Sequence, residues 1–382
     1  MKWAKEDEEY LKNNLLQSND EVGKKLNRTG DSIARKRKRL GLKSIITLKE
    51  NTQEGAQETL NKLISKEENK EKISSLKILT KEYVKIKKER DSFLQVGGVE
   101  TYAIKSNQGG GKSSATAVAL ASDWHYEENV ISSQVNGLNK YDTNIAKERI
   151  EKFFTVIAKL INVHKKEYNI ENLMLALLGD FISGSIHDDL KESNHIQPTQ
   201  AIWEVQNLIA SGIKFLLKET DVNLVIPCSA GNHSRITEKQ RVSTEFGNSL
   251  EILMYRQLEK YFSNEPRVKF IISDSYLTYV KVYNYTCRLH HGHAIKYGGG
   301  IGGIFVPAFK AISQWNKSKQ ADWDFFGHFH QLKDGGNFIS NGSLIGFNSY
   351  AIKIKADYEK PKQAFLIIDE ERGLEVTRKI TL

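Results

Sequence analysis

The sequence predicts an α/β fold: a strand-and-helix core finished by a strand-rich half and preceded by a small basic helical unit. Three observations predict it. From Thr116 to the C-terminus, short apolar runs alternate with longer stretches whose apolar residues recur every three or four positions. Before that region, residues 46–92 are rich in Lys, Glu, Asn, Gln and Ser, with apolar residues thinly spread. The first 45 residues carry 12 Lys/Arg against 7 Asp/Glu and so supply +5 of the chain's +9. With 382 residues, 39% apolar and 27% charged, the chain is long and apolar enough for roughly two or three globular domains. No run approaches the ~18 uninterrupted apolar residues of a membrane span. The charged start Met1-Lys2-Trp3-Ala4-Lys5-Glu6-Asp7-Glu8 lacks the apolar stretch of a secretory signal. Cys228 and Cys287 lie in apolar runs, so buried thiols in a reducing cytoplasm are expected.

Residues 3–42 read as three short helices. Trp3, Leu11 and Leu15 fit the apolar face of the first. Ser18-Asn19-Asp20-Glu21 is a capping box opening the second, with Val22 and Leu26 inward. Asn27-Arg28-Thr29-Gly30 is a turn, and the third helix carries Ile33 and Leu40 and stops at Gly41. Arg35, Lys36, Arg37, Lys38 and Arg39 are expected on its exposed positions. A basic helix after a tight turn suits the DNA major groove, with phosphate attraction supplying most of the affinity. A basic solvated helix with no nucleic-acid role is the alternative. The pattern over residues 1–45 resembles Myb/SANT-like helix-turn-helix domains in Trp3, acidic Glu6–Glu9, Leu26-Asn27-Arg28-Thr29, Ile33 and Arg39-Leu40-Gly41-Leu42. The resemblance implies DNA binding, with Arg28 and Arg35–Arg39 as contacts.

Residues 46–113 read as a charged, partly helical linker with a Gly-rich end. Leu60, Leu63, Ile64, Ile73, Leu76, Leu79, Tyr83 and Ile86 have helical spacing, which suits self-association through residues 60–90 and equally a solvated connector. Gly111-Lys112-Ser113 ends like a phosphate-cradling P-loop, but Ser106 stands where that motif needs glycine and no strand precedes it. A glycine hinge explains it better.

Residues 114–382 form the expected second domain. Strands are expected at 116–122, 172–178, 222–229, 268–273, 276–283, 286–290, 323–327 and 363–369, and helices at 143–167, 199–219 and 243–262. Six of the ten histidines fall in short clusters at the ends of these strands: Asp123-Trp124-His125, Gly231-Asn232-His233, His291-Gly292-His293 and Gly327-His328-Phe329-His330. Gly179-Asp180 ends another. Strand ends in open α/β sheets are where ligands bind. Side chains at i and i+2 of a strand point the same way, so Asp123/His125 and His328/His330 would each offer two ligands to one point. Imidazole with carboxylate suits Mn, Fe or Zn. His293 reads equally as a ligand or as a support behind one, and His290 should face the core or the opposite side.

The order Asp-x-His, Gly-Asp, Gly-Asn-His, His-Gly-His, Gly-His-x-His, followed by Asn341-Gly342-Ser343-Leu344, resembles the calcineurin-like metallophosphoesterase superfamily. The resemblance implies a four-layer αββα sandwich holding two divalent ions, manganese first, with iron, zinc or nickel as others. It implies Asp123, His125, Asp180 and His330 around one ion, and Asp180, Asn232, His291 and His328 around the other, with Asp180 bridging. His233 would serve the leaving-group oxygen as general acid or charge stabiliser. Many members follow Asn-His with an acid that orients the histidine. Here Ser234-Arg235 follows, and Arg235 is expected on a phosphate. Gly179-Asp180-Phe181-Ile182-Ser183-Gly184 lacks the Asp-Arg of Ser/Thr protein phosphatases. His187 lies in a polar excursion and reads as loop solvation ahead of the alternative, contact with substrate; 126–141 is expected to form a rim or lid, and the glycines at 298–303 a mobile loop beside the site.

These readings make the chain a metal-dependent phosphoesterase of the cytoplasm, acting on DNA phosphodiesters as a nuclease brought there by its N-terminal unit. Its Lys/Asn/Ile-rich composition is reminiscent of phage-encoded proteins. The alternatives are a phosphomonoesterase or cyclic-nucleotide phosphodiesterase, and a DNA-binding regulator whose phosphoesterase fold is a scaffold without catalysis.

Overall fold

The structure is a computed structural model and describes residues 3–42, 77, 80, 81, 102–104, 112–186, 188–297 and 303–382. The proposed self-association over 60–90 lies largely outside the described residues, as do His187 and the glycines at 298–300 and 302. The chain divides into two units, Met1–Gly98 and Val99–Leu382.

In the first unit, helices α1 (Lys5–Asn13), α2 (Asn19–Leu26) and α3 (Gly30–Arg39) enclose a small core of Leu11, Val22 and Ile33. Trp3, Leu26 and Leu40 pack against it, whereas Leu15 lies just past the end of α1. The capping box forms as expected: Ser18 Oγ accepts from Glu21 N, and Glu21 Oε2 accepts from Ser18 N at 2.8 Å. Gly41 ends the third helix with φ +70°. The basic face is smaller than expected. Lys36 and Arg37 are only 5% and 2% exposed. They lie three and four residues after Ile33, so the spacing that buries Ile33 turns them inward too. Arg37 donates to the carbonyls of Gln17 and Asn14 and to Asn19 Oδ1, and Lys36 pairs with Glu8. Arg28 pairs with Asp7 and lies 4.2 Å over the Trp3 ring. Arg35, Lys38 and Arg39 keep their exposure.

The second unit has four layers, helices outside and two six-stranded sheets inside. One sheet has the order β12-β11-β2-β3-β4-β5, formed by Gly373–Thr381, Lys362–Asp369, Ser114–Ala121, Asn169–Leu177, Asn223–Cys228 and Val268–Ile272. β2 to β5 run parallel, and β11 joins β2 antiparallel. The other has the order β1-β6-β7-β8-β10-β9, formed by Tyr102–Ile104, Thr278–Val282, Tyr285–Leu289, Trp323–Phe326, Phe338–Ser340 and Lys333–Asp334. Strand alternation builds the layers. Ala115, Ala117, Ala119 and Ala121 of β2 face the helices Thr143–His164, Pro198–Glu219 and Leu250–Tyr261, while Val118 and Leu120 face the other sheet. There they meet Val280, Cys287, Leu289 and Phe325. The helix Phe305–Trp315 covers Phe326 and Phe338 on the far side. Cys228 and Cys287 are buried free thiols.

Several expectations change. The Gly-rich end of the linker, where no strand was expected, contributes β1, parallel to β6. Lys112 and Ser113 lead straight into strand β2, where a P-loop would lead into a helix. The helix expected over 243–262 begins at Leu250, after two short 3-10 turns and an Ser249 cap. Residues 126–141 are fastened down: Val130 pairs with Tyr141, and Asn139 donates to the carbonyls of Ile345 and Phe347. Among the described helices none is long and apolar enough to cross a membrane.

Candidate metal centre

The loops that follow β2, β3, β4, β7 and β8 meet at one end of the stacked sheets. Trp124 N and His125 N both donate to Asp180 O, and Gly327 N donates to His291 O. Asn341 braces this end: its Nδ2 donates to Ser122 Oγ at 2.9 Å and its Oδ1 accepts from Ala364 N. Leu344 N donates to Asp123 O.

Two groups of side chains converge, Asp123 with His125 and His330, and Asp180 with His291 and His328, each with ligand atoms within 4.8 Å of one another. The expected reason for convergence needs correction. Asp123 and His125 lie beyond the end of β2, and His328 and His330 beyond β8. Asp123, His125, Asp180, His328 and His330 all have positive φ, between 46° and 71°. Successive left-handed turns, and not the alternation of a strand, aim these side chains. Such backbone persists only where its surroundings over-determine it, and it gathers at functional sites.

The donor set fits divalent cations. His125 Nε2 and His330 Nε2 face each other at 3.1 Å. Asn232 Oδ1 is buried with no hydrogen-bond partner, and His291 Nε2 stands 2.8 Å from Asp180 Oδ2 without hydrogen-bond geometry. Buried polar atoms left so are costly unless something further binds them. Two of the imidazoles are oriented from behind. His291 Nδ1 faces Leu178 O at 2.7 Å, and His125 Nδ1 faces Ser183 Oγ at 3.0 Å. Burial, then the neighbouring imidazoles, hold His125 and His328 well below the usual histidine range, so both stay neutral as ligands must. Burial opposes the charge on Asp180, but His291 and His233 outweigh it and keep the carboxyl ionised. Burial likewise opposes a proton on His291, but Asp180 pushes that group up to about 10, so each of the two favours the charged form of the other.

His233 lies with its ring 4.9 Å from that of His125, its main-chain N–H donating to Asp180 Oδ1 and its Nδ1 2.9 Å from Ser183 O. A main-chain carbonyl thus does the orienting that Ser234 and Arg235 do not. The guanidinium of Arg235 donates to the carbonyls of Asn232, Thr237 and, more distantly, Glu238, which braces its own loop. His293 sits beside His291 and pairs with Glu245 at 3.1 Å. His290 is buried on the opposite side against Asp324 and Arg288.

Sequence reasoning missed three residues. Glu251 accepts from Phe181 N, Gly231 N and Ser234 Oγ, tying the Asp180 loop to the Asn232 loop. Burial, and then the charge of Asp180, push its carboxyl up to about 8. In sequence it is one acid in a helical first turn. Ser183 holds His125 with its hydroxyl and His233 with its carbonyl, and Glu128 accepts from Ser183 Oγ. Only the tertiary fold shows these links.

No family model and no curated protein sequence matches the chain. Among solved structures it is similar to a dimetal phosphatase from Danio rerio, with 8% identity and a TM-score of 0.33 over 70% of this chain and 98% of that one. It is similar to a protein described as a 5'-nucleotidase from Staphylococcus aureus, with 12% identity and a TM-score of 0.29. That match takes in 70% of this chain but only 54% of the nucleotidase, so the chain spans about half its length. A calcineurin-like phosphoesterase from Bacillus subtilis matches at 10% identity and a TM-score of 0.25, over 70% of this chain and 90% of that one. At such distances the functional reading rests on the geometry of the site.

Proposed function

We propose that the second unit is a dinuclear metal-dependent phosphoesterase. The observation that carries this reading is the pairing of two largely buried Asp/His groups beside one oriented histidine, His233. Two divalent ions, held by Asp123, His125 and His330 and by Asp180, Asn232, His291 and His328, would polarise a phosphoryl oxygen and activate water for in-line attack. The protein's own residues do the rest. Asp180 offers one carboxylate between the two groups. His233 presents Nε2 to the leaving oxygen while Ser183 O fixes its ring. The left-handed backbone at Asp123, His125, Asp180, His328 and His330 would hold these five side chains in place before substrate arrives.

The substrate we propose is a DNA phosphodiester, with the first unit delivering the enzyme to the duplex. Support comes from the three-helix unit and from Arg35, Lys38 and Arg39 exposed on its last helix. Purified protein loaded with Mn²⁺ is expected to degrade linear DNA. Hydrolysis of a chromogenic phosphomonoester alone replaces the nuclease reading with a phosphomonoesterase, and no hydrolysis of either leaves a DNA-binding scaffold. Deleting residues 1–45 is expected to weaken DNA affinity and flatten its dependence on salt, because fewer phosphates are neutralised, while small phosphodiesters are still cleaved. An unchanged gel shift removes the targeting role.

A further inference from the structure

Behind the first ligand group runs a chain of four buried side chains with a single consistent direction of hydrogen bonding. Asn348 Oδ1 accepts from Ala351 N at 3.0 Å, capping a short helix, which leaves its Nδ2 to donate to Glu128 Oε1 at 2.8 Å. Glu128 Oε2 accepts from Ser183 Oγ at 3.2 Å. Ser183 Oγ lies 3.0 Å from His125 Nδ1. Asn348, Glu128, Ser183 and His125 are all buried, so water does not scramble the order. A carboxylate is acceptor-only, and a hydroxyl has one proton. Once the Ser183 proton is given to Glu128, its oxygen can only accept from His125. The His125 proton must then sit on Nδ1, with the Nε2 lone pair turned towards Asp123 and His330.

We infer that Glu128 is a positioning residue which, through Ser183, sets the tautomer of His125 that can ligate a metal. The inference rests on the metal reading of the site for its consequence, though the tautomer itself is a property of the metal-free protein.

Glu128→Gln tests it. Asn348 cannot flip without losing its helix cap, so a glutamine amide nitrogen facing it would set donor against donor. The nitrogen turns to Ser183 instead. The Ser183 hydroxyl is then driven to donate to His125 Nδ1, and the ring proton moves to Nε2. Nitrogen-15 NMR of histidine-labelled, metal-free protein should show His125 as the Nδ1–H form in the wild type and the Nε2–H form in the variant. Calorimetric titration with Mn²⁺ should find two ions in the wild type and a 10- to 100-fold loss of affinity for one of them in the variant, a typical effect of disturbing a ligand's hydrogen-bond partner. Adding Asn348→Asp supplies an acceptor for the glutamine nitrogen and should restore both the tautomer and the affinity, which a packing role would not require. Ser183→Ala, which keeps the carbonyl on His233, covers the case in which Glu128→Gln fails to fold: His125 should lose its fixed tautomer with a similar fall in affinity. An Nδ1–H signature that survives in either variant, or wild-type Mn²⁺ affinity in both, overturns the inference. Wild-type protein that takes up no Mn²⁺ overturns the metal reading instead, and the NMR result still decides the role of Glu128.

Discussion

Asp180→Asn is expected to abolish phosphoester hydrolysis while leaving the fold intact. The asparagine keeps Oδ1 as acceptor for His233 N, the 2.8 Å bond that ties the loop after β3 to the loop after β4. Its amide replaces the oxygen that now faces His291 Nε2. His291 gives its Nδ1 proton to Leu178 O, so its Nε2 can accept that amide N–H once no carboxylate holds a proton there. The structure therefore tolerates the change. The chemistry does not, because an N–H donor now points where a cation would bind and the shared negative charge is gone. A loss of several kcal/mol in transition-state stabilisation is on the order of 10³-fold in kcat or more. Steady-state assay of Mn²⁺-loaded protein beside a thermal melt checks it. Full activity in a folded Asp180→Asn protein would remove Asp180 from between the ions.

Gly231→Ala is expected to be the most damaging substitution of a residue that contributes no ligand. A Cβ there would lie 2.1 Å from Asp180 Oδ1 and 2.2 Å from Asp180 N, and neither can retreat without breaking the turn that presents the carboxylate. Gly179→Ala drives the same contact from the other side: its φ is +87°, and its Cβ would meet Gly231 N at 2.3 Å. Overpacking and a forced left-handed alanine each cost on the order of 1–3 kcal/mol, and both fall on the metal ligands. Gly247→Ala is the control, with nothing within 4 Å of its added carbon, and it should change stability by less than about 0.5 kcal/mol. Urea unfolding and Mn²⁺ titration of the three variants measure the difference. A Gly231→Ala protein with unaltered metal affinity would mean that this close approach does not shape the site.

The two candidate metal-binding groups were legible because each of their residues sits in a short local pattern with its neighbours. Asp123 and His125, or His328 and His330, are two residues apart in any conformation. The path by which they meet was not legible, since left-handed φ at five non-glycine residues leaves no mark in composition. The main strands and long helices were legible from periodicity. β10 is only three residues long, and β12 exposes much of its face, so neither shows an apolar signature. The helix Phe305–Trp315 was hidden behind the glycines that precede it. In the first unit the run Arg35–Arg39 was read as one charged surface, but a helix of 3.6 residues per turn divides any such run between solvent and interior. Glu128, Ser183 and Glu251 could not be found in advance, because their partners lie 17 to 70 residues away or beyond.

The inward pair Lys36 and Arg37 has a consequence for how nucleic acid would sense this chain. Lys36 is paired with the Glu8 carboxylate, and the Arg37 guanidinium donates to the carbonyls of Gln17 and Asn14 and to Asn19 Oδ1, so neither side chain is turned outward to meet a phosphate. The run Arg35–Arg39 therefore offers fewer cations at the surface than its formal charge suggests, and discrimination between polyanions by the third helix would depend on where the exposed Arg35, Lys38 and Arg39 fall along a phosphate track.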